Sequence, residues 1–150
     1  MDKLDIKILE LLQQNAKITI KEMASKMEMT STPIYSRIKH MERTGIIDKY
    51  VTLIDPKKCG KSQVVFCNVS MINSEIENYK KFEKIIQSMP EIIECYYLAG
   101  KVDYQLKVMV KDIEHYDSFL KRIAAIDIIK LHSSRIVLHS VKYSTVVPIG

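Results

Sequence analysis

Residues 19–45 read TIKEMASKMEMTSTPIYSRIKHMERTG, and two helix starts fall inside them. Thr19 followed by Glu22 is a capping box, in which the hydroxyl serves the amide three residues on and the carboxylate returns to the cap's own amide. Ile18 and Met23 flank it as a hydrophobic staple. Ile20, Met23, Ala24 and Met27 then recur at helical spacing as one apolar face. The second start is Thr30-Ser31-Thr32-Pro33. Either Thr30 caps this helix, or Thr32 caps it with Pro33 at the first helical position, where a missing N–H costs nothing. Its inward side is Ile34, Ile38 and Met41, and Gly45 is the expected left-handed stop. Upstream, Leu4, Ile8, Leu11 and Leu12 form one stripe behind Asp2, which is placed to cap it. A helix, then two capped helices joined by a short turn, is the helix-turn-helix pattern.

Downstream, Ile46–Val51 is a short extended run that reads as a wing strand, and Asp55-Pro56-Lys57-Lys58-Cys59-Gly60 breaks regular structure. The expected organisation is a helix-turn-helix domain over residues 1–50, a linker over 51–61 and a second domain over 62–150. Within the second domain, Val65, Cys67, Val69 and Met71 alternate as a strand. Ser74 and Glu77 form another capping-box pattern before Tyr79, Phe82, Ile86 and Met89 at helical spacing, closed by Pro90. Ile93, Cys95, Tyr97 and Ala99 alternate, and so do Tyr104, Leu106, Val108 and Val110 after a turn at Gly100. Asp112 precedes a helical stripe of Tyr116, Phe119, Leu120 and Ile123, and a last strand is expected from about Leu131 to Val141. The order βαββαβ is the ferredoxin-like split unit, so the fold class is α+β: a three-helix (winged) helix-turn-helix domain plus a ferredoxin-like domain. Both helices of such a unit cover one sheet face. Ile92, Tyr96 and Leu98, with Val64, Phe66 and Met109, give the other face an apolar character that marks a protein interface, here a homodimer. Scattered surface apolar residues are the alternative.

The chain has 150 residues, 47% hydrophobic and 27% charged, which excludes disordered and fibrous classes. No apolar run approaches the length of a membrane span, and the acid-bearing N-terminus is not a signal peptide. Cys59, Cys67 and Cys95 are far apart with no CxxC. They read as buried small hydrophobes in a reducing cytoplasm, with no disulfide framework and no metal site. The formal net charge is +5 and is spread evenly along the chain, so it does not by itself indicate a nucleic-acid partner.

Local geometry does. With Ile34, Ile38 and Met41 in the core, the third helix presents Ser31, Thr32, Tyr35, Ser36, Lys39 and Arg43 outward, with Arg37 and His40 at its flanks. Thr30, Ser31 and Thr32 put hydroxyls and amides at its N-terminus for phosphate oxygens or base edges. Lys39, Arg43 and Arg37 would supply phosphate contacts. Double-stranded DNA is therefore the expected partner, and a dimer would read a pseudo-palindromic operator.

Several stretches together resemble the Lrp/AsnC (leucine-responsive, feast/famine) transcription regulators. They are Leu4-Asp5-Ile6-Lys7-Ile8-Leu9, Met29-Thr30-Ser31-Thr32-Pro33, Arg37-Ile38-Lys39-His40-Met41-Glu42 with Gly45-Ile46-Ile47, Leu53-Ile54-Asp55-Pro56 with Cys59-Gly60, and Gly100-Lys101-Val102-Asp103-Tyr104. The run ending Val141-Lys142 resembles the family's closing strand. The resemblance implies a cytoplasmic regulator that dimerises through its C-terminal sheets, assembles into octamers and binds a free amino acid, an effector and not a cofactor, at junctions between dimers. It implies an effector site of Ala99, Gly100, Lys101, Val102 and Asp103, with Ser133 and Ser134 from the last strand. Asp103 could hold an ammonium, and glycine-turn amides or serine hydroxyls a carboxylate. Read from spacing alone, the same residues are an ordinary hairpin turn with Asp103 as a local hydrogen-bond partner. Lys101 departs from the acid or small polar residue usual after this glycine, which disfavours a cationic effector.

Two other functions remain open. Siroheme decarboxylases share both domains, but His132 and His139, seven apart on the expected last strand, would face opposite sides. No Ser/His/Asp arrangement, HExxH, P-loop or GxGxxG appears, so no catalytic residue is assigned. A ligand-binding assembly protein without DNA binding would show an eroded third helix, which is not seen.

Overall fold

A computed structural model describes residues 1–149 of the chain. They fall into two compact units: Met1–Leu53 together with the segment from Val141 onward, and Ile54–Ser140.

The first unit holds α1 (Lys3–Gln14), α2 (Ile20–Met27) and α3 (Ser31–Arg43). Asp2 caps α1: its Oδ1 accepts from the amides of Leu4 and Asp5 at 2.9 Å, and its own amide donates to Asp5 Oδ2 at 2.9 Å. Thr19 and Glu22 form the expected box on α2, at 3.1 Å and 2.7 Å. Such caps are each worth about 1 kcal/mol. Thr30 occupies the cap position of α3 but makes no side-chain capping bond. Pro33 is the third helical residue, within the first turn, where amides have no helical acceptor. Gly45 ends α3 at φ +76°. The turn between α2 and α3 places Glu28 at φ +55°, ψ +43°, a left-handed conformation that a side chain adopts at a cost of about 1 kcal/mol. Ile8, Met23, Ile34 and Met41 are fully buried among Leu9, Ala24, Met27 and Ile38.

The expected wing strand is absent: among the described residues, 46–54 pair with no other segment, and an extended run needs a ladder partner to become a strand. The chain's last residues differ from expectation as well. Strand pairing stops at Ile136, and the segment from Val141 belongs to the helical unit. Gln13 Nε2 donates to the Val147 carbonyl at 3.1 Å, the Val147 amide donates to Gln13 Oε1 at 2.6 Å, and Ile149 packs on the helical core.

The second unit contains β1 (Gln63–Met71), α4 (Ile76–Gln87), β2 (Ile92–Tyr97), β3 (Tyr104–Val110), α5 (Ile113–Ala124) and β4 (Ile129–Ile136). They form the expected βαββαβ unit, an antiparallel sheet in the order β2-β3-β1-β4. Val65, Cys67, Val69, Tyr104, Leu106, Val108 and Val110 point to one face and are buried against Phe82, Ile86, Phe119 and Ile123. At about 1.5–3 kcal/mol for each large apolar side chain, this layer dominates the unit's stability. α5 starts as expected, with Asp112 Oδ1 accepting from the His115 amide at 2.8 Å. The Ser74/Glu77 box is not made. α4 begins after Glu75 without a side-chain cap, and Asn73 Oδ1 accepts from the Glu75 amide and from Asn78 Nδ2 at its start.

Two bulges alter the alternation read from sequence. In β2, Ile92 pairs with Val108 and Glu94 with Lys107, so Ile93 is an extra residue and is exposed. Ile92 consequently packs on the core with Cys95, while Glu94 and Tyr96 face the other way. In β4, Ser133 pairs with Asn68 and Leu131 with Val69, leaving His132 as the extra residue. His139 lies beyond the strand. Cys67 is buried and Cys95 half-buried, with its thiol pushed up to about 11 by burial and then by Glu83. Cys59, expected inside, is exposed, because it sits in the 56–60 turn with no layer over it.

Candidate nucleic-acid interface and effector turn

The core contacts of Ile34, Ile38 and Met41 fix the rotation of α3, and the residues between them are turned out. Ser31, Thr32, Tyr35, Ser36, Lys39, His40 and Arg43 are all exposed. No described residue bonds the hydroxyls of Ser31, Thr32 or Ser36, and beside them an open groove is lined by Pro33, Tyr35, Ser36, Lys39, His40 and Arg43, with Arg37 and Asp5 at its α1 side. Thr30 stands at the edge, its hydroxyl also without a capping bond.

The cations are less free than their spacing suggests. Lys39 Nζ lies 2.7 Å from Glu42 Oε2 and 5.8 Å from the Tyr35 ring centre. Glu42 Oε1 accepts from Tyr50 OH at 3.1 Å. Lys39, then Tyr50, hold the Glu42 carboxyl below its usual range. Arg43 Nη2 is 3.3 Å from His40 Nδ1. Arg37 is engaged most firmly: its Nη1 is 2.7 Å from Asp2 Oδ2 and 2.7 Å from Asp5 Oδ1. Both carboxyls are held low, first by each other's backbone amides and then by Arg37. Tyr50, Glu42, Asp2 and Asp5 are therefore part of this face's chemistry although sequence reasoning did not assign them to it. Glu42 could have been found as the i+3 partner of Lys39; nothing in the spacing links Arg37 to residues 32 and 35 positions earlier.

In the second unit, residues 98–103 connect β2 to β3. Leu98 donates to the Asp103 carbonyl at 2.7 Å, and the Asp103 amide donates to the Val69 carbonyl at 3.0 Å. Gly100 has φ +143°, a region open to glycine. Ala99, Gly100 and Lys101 are exposed, Val102 and Asp103 half-buried. The Asp103 carboxylate is already occupied: Oδ2 accepts from the Met71 amide at 2.8 Å, and Oδ1 from Tyr79 OH at 3.4 Å. The sequence marks Met71 and Tyr79 only as strand and helix positions and not as partners of this turn. Ser133 and Ser134 are not brought to this turn. Ser133 accepts from Asn68 Nδ2 at 3.1 Å on the open face, whereas Ser134 Oγ sits 3.8 Å from Cys67 Sγ on the helix face. β1 lies between them and β3, about 10 Å across two strand spacings.

Among the histidines, His115 Nε2 lies 3.2 Å from Glu91 Oε1, an oxygen shared with Arg122. His40 lies on α3 in the first unit; in the second, His132 lies in the β4 bulge and His139 after β4. No described group of His, Cys, Asp and Glu has a metal-holding arrangement. No helix among the described residues is long and apolar enough to cross a membrane.

Comparison with known proteins agrees with this architecture. The winged helix-turn-helix DNA-binding family matches residues 1–48, and the Lrp/AsnC ligand binding domain matches residues 64–147. The chain is 33% identical over 150 residues to the DNA-binding transcriptional activator DecR of Escherichia coli K12, covering 99% of each. It is 34% identical over 149 residues to a glutamate uptake regulatory protein of Zymomonas mobilis, covering 99% of this chain and 91% of that one. An AsnC family transcriptional regulator from Agrobacterium tumefaciens superposes with a TM-score of 0.92 at 38% identity, over 99% and 97% of the chains. A Neisseria meningitidis regulator in complex with L-methionine superposes with a TM-score of 0.94 at 28% identity, over 99% and 96%. With both domains matched in order and close to the full length aligned, the chain belongs to the Lrp/AsnC family of transcriptional regulators.

Proposed function

We propose that this chain is a sequence-specific DNA-binding transcriptional regulator whose DNA affinity or assembly responds to a small molecule, an amino acid. The observation that carries the reading is the outward face of α3, where Ser31, Thr32, Tyr35 and Ser36 stand exposed beside Lys39 and Arg43 while Ile34, Ile38 and Met41 are buried. Tyr35 and Ser36 read base edges in the major groove, and Thr30, Ser31 and Thr32 bond phosphates or base edges near the helix N-terminus. Lys39 and Arg43 supply salt-dependent phosphate contacts. The protein acts in the cytoplasm, as a homodimer through the open sheet face with octamers as the larger assembly, on a pseudo-palindromic operator. It has no catalytic role.

The effector site is proposed at Ala99, Gly100, Lys101, Val102 and Asp103, with Ser133 and Ser134 contributed from β4. The Neisseria relative with L-methionine supports the ligand class. Since β1 separates the turn from the two serines within one chain, a second copy completes the pocket. Exposed Lys101 disfavours lysine and favours neutral or acidic amino acids. Thermal shift against the twenty amino acids, followed by calorimetry, tests this. A ligand at ~100 times its Kd adds about 2.7 kcal/mol. Tighter binding of lysine than of glutamine would overturn the Lys101 argument, and silence across the panel the amino-acid reading. For DNA, Lys39→Ala should lower the slope of log K against log salt by about 0.9. An unchanged slope would remove Lys39 from the phosphate contacts.

A further inference from the structure

We infer that Arg37 is a positioning residue, which locks the DNA-reading helix to the first turn of α1, and is not itself a phosphate contact; this rests on the DNA-binding reading above. Its Nη1 meets two carboxylate oxygens at 2.7 Å, Asp2 Oδ2 and Asp5 Oδ1. Those carboxylates are ordered before Arg37 arrives. Asp2 Oδ1 is fixed by the amides of Leu4 and Asp5, and Asp5 Oδ2 by the amide of Asp2, which leaves each residue one oxygen aimed at the same nitrogen. The side-chain entropy that usually cancels a surface ion pair has thus already been lost to capping on the carboxylate side. Asp5 is 16% exposed, Arg37 34% and Asp2 55%, so the Asp5 arm of the cluster is the one shielded from solvent.

Two consequences follow. One cation between two carboxylates leaves the cluster net negative, so it repels a phosphate. And Arg37 sits one residue before Ile38 on α3, so holding its guanidinium on α1 ties to the first turn of α1 the rotation that Ile34, Ile38 and Met41 set. Arg37 then acts on DNA through the aim of Tyr35, Ser36 and Lys39.

The two roles differ in what they do to sequence preference. Asp2→Asn keeps an N-cap acceptor, since Asn caps about as well as Asp, and in Asp5→Asn the amide oxygen can still accept from the residue 2 N–H; together they remove two carboxylate charges and release Arg37. If Arg37 contacted phosphate, this variant would bind specific and mixed duplexes more tightly by the same factor. The full-length wild type is used to enrich a duplex from a randomised pool, and the variants are titrated against that duplex and a mixed-sequence one. Expected for Asp2→Asn/Asp5→Asn is an affinity ratio of enriched to mixed duplex lowered roughly two- to five-fold, with an unchanged salt slope. Arg37→Gln should behave the same way. Melting temperatures separate this from unfolding; where the double variant melts early, Asp2→Asn alone, which removes only the more exposed partner, should show the same direction. An unchanged ratio of enriched to mixed affinity in the Asn variants, or a slope lower by about 0.9 in Arg37→Gln, would overturn the inference while leaving DNA binding intact. A wild type that enriches no duplex would overturn both.

Discussion

The outward face of α3 and the turn between β2 and β3 are both proposed recognition surfaces, yet they differ in how much of their hydrogen bonding is already used. On α3, the hydroxyls of Ser31, Thr32 and Ser36 have no partner among the described residues. In the turn, both oxygens of Asp103 are taken by Met71 and Tyr79. A single copy of the helical unit therefore already offers an unsatisfied polar surface. The turn is closed on itself, and a ligand there must either displace Tyr79 or use the backbone of residues 99–102 and a neighbouring copy. The supports differ too. The helical unit rests on capping, a small methionine-rich core and charge pairs between elements, and the sheet unit on a continuous apolar layer.

The largest effect that would sharpen this contrast is expected at Tyr104. It is 2% exposed, with its ring 4.9 Å from Phe82 and 5.2 Å from Tyr97, so Tyr104→Ala should destabilise by about 3–5 kcal/mol in denaturant titration. Retained stability would show that the turn is not anchored by the layer beneath it. Next is the closing segment. Deleting residues from Val141 onward removes the Gln13–Val147 pair and the packing of Ile149, and should cost about 1–3 kcal/mol. Hydrogen exchange should rise in α1 and not in β1 or β3; an equal rise in both would break the division into two units. Asp103→Asn should lower stability by about 1 kcal/mol without any ligand. Unchanged stability with lost amino-acid binding would instead make Asp103 a free ammonium acceptor and erase the contrast. The smallest effect is expected on the helical face. Glu42→Gln releases Lys39 and removes an acid, and DNA affinity should rise roughly 1.5- to 5-fold at low salt. Weaker binding would mean that the Tyr50–Glu42–Lys39 chain holds Lys39 where DNA needs it.

How far the sequence could be read depended on the range of each interaction. Thr19 with Glu22, Asp2 before α1, Gly45 after α3 and Asp112 before α5 are signals within three or four residues, and each forms as read. The Ser74/Glu77 signal failed: α4 starts one residue later, after Glu75, without a side-chain cap, and Asn73 Oδ1 holds the Glu75 amide and Asn78 Nδ2 at its start. The alternation in β3 survived because β3 is central and paired on both sides. The alternations in β2 and β4 were broken by Ile93 and His132, on edge strands with only one partner to hold register. Of the candidate face, the outward residues of α3 were legible because three buried positions fix a helix's rotation. Their charge state was not.

The sequence by itself determined the two-domain α+β order, the helical caps, the buried faces of all three N-terminal helices and the likeness to a regulator family, since these follow from local geometry and apolar period. Only the tertiary structure decided that Arg37 is held by Asp2 and Asp5, that Asp103 is closed by Met71 and Tyr79, that bulges at Ile93 and His132 interrupt β2 and β4, and that the last residues return to α1. Each of these is a meeting of groups 24 or more positions apart, or a bulge that reverses a side chain's direction. Residue type and spacing carry no record of either until the chain has packed.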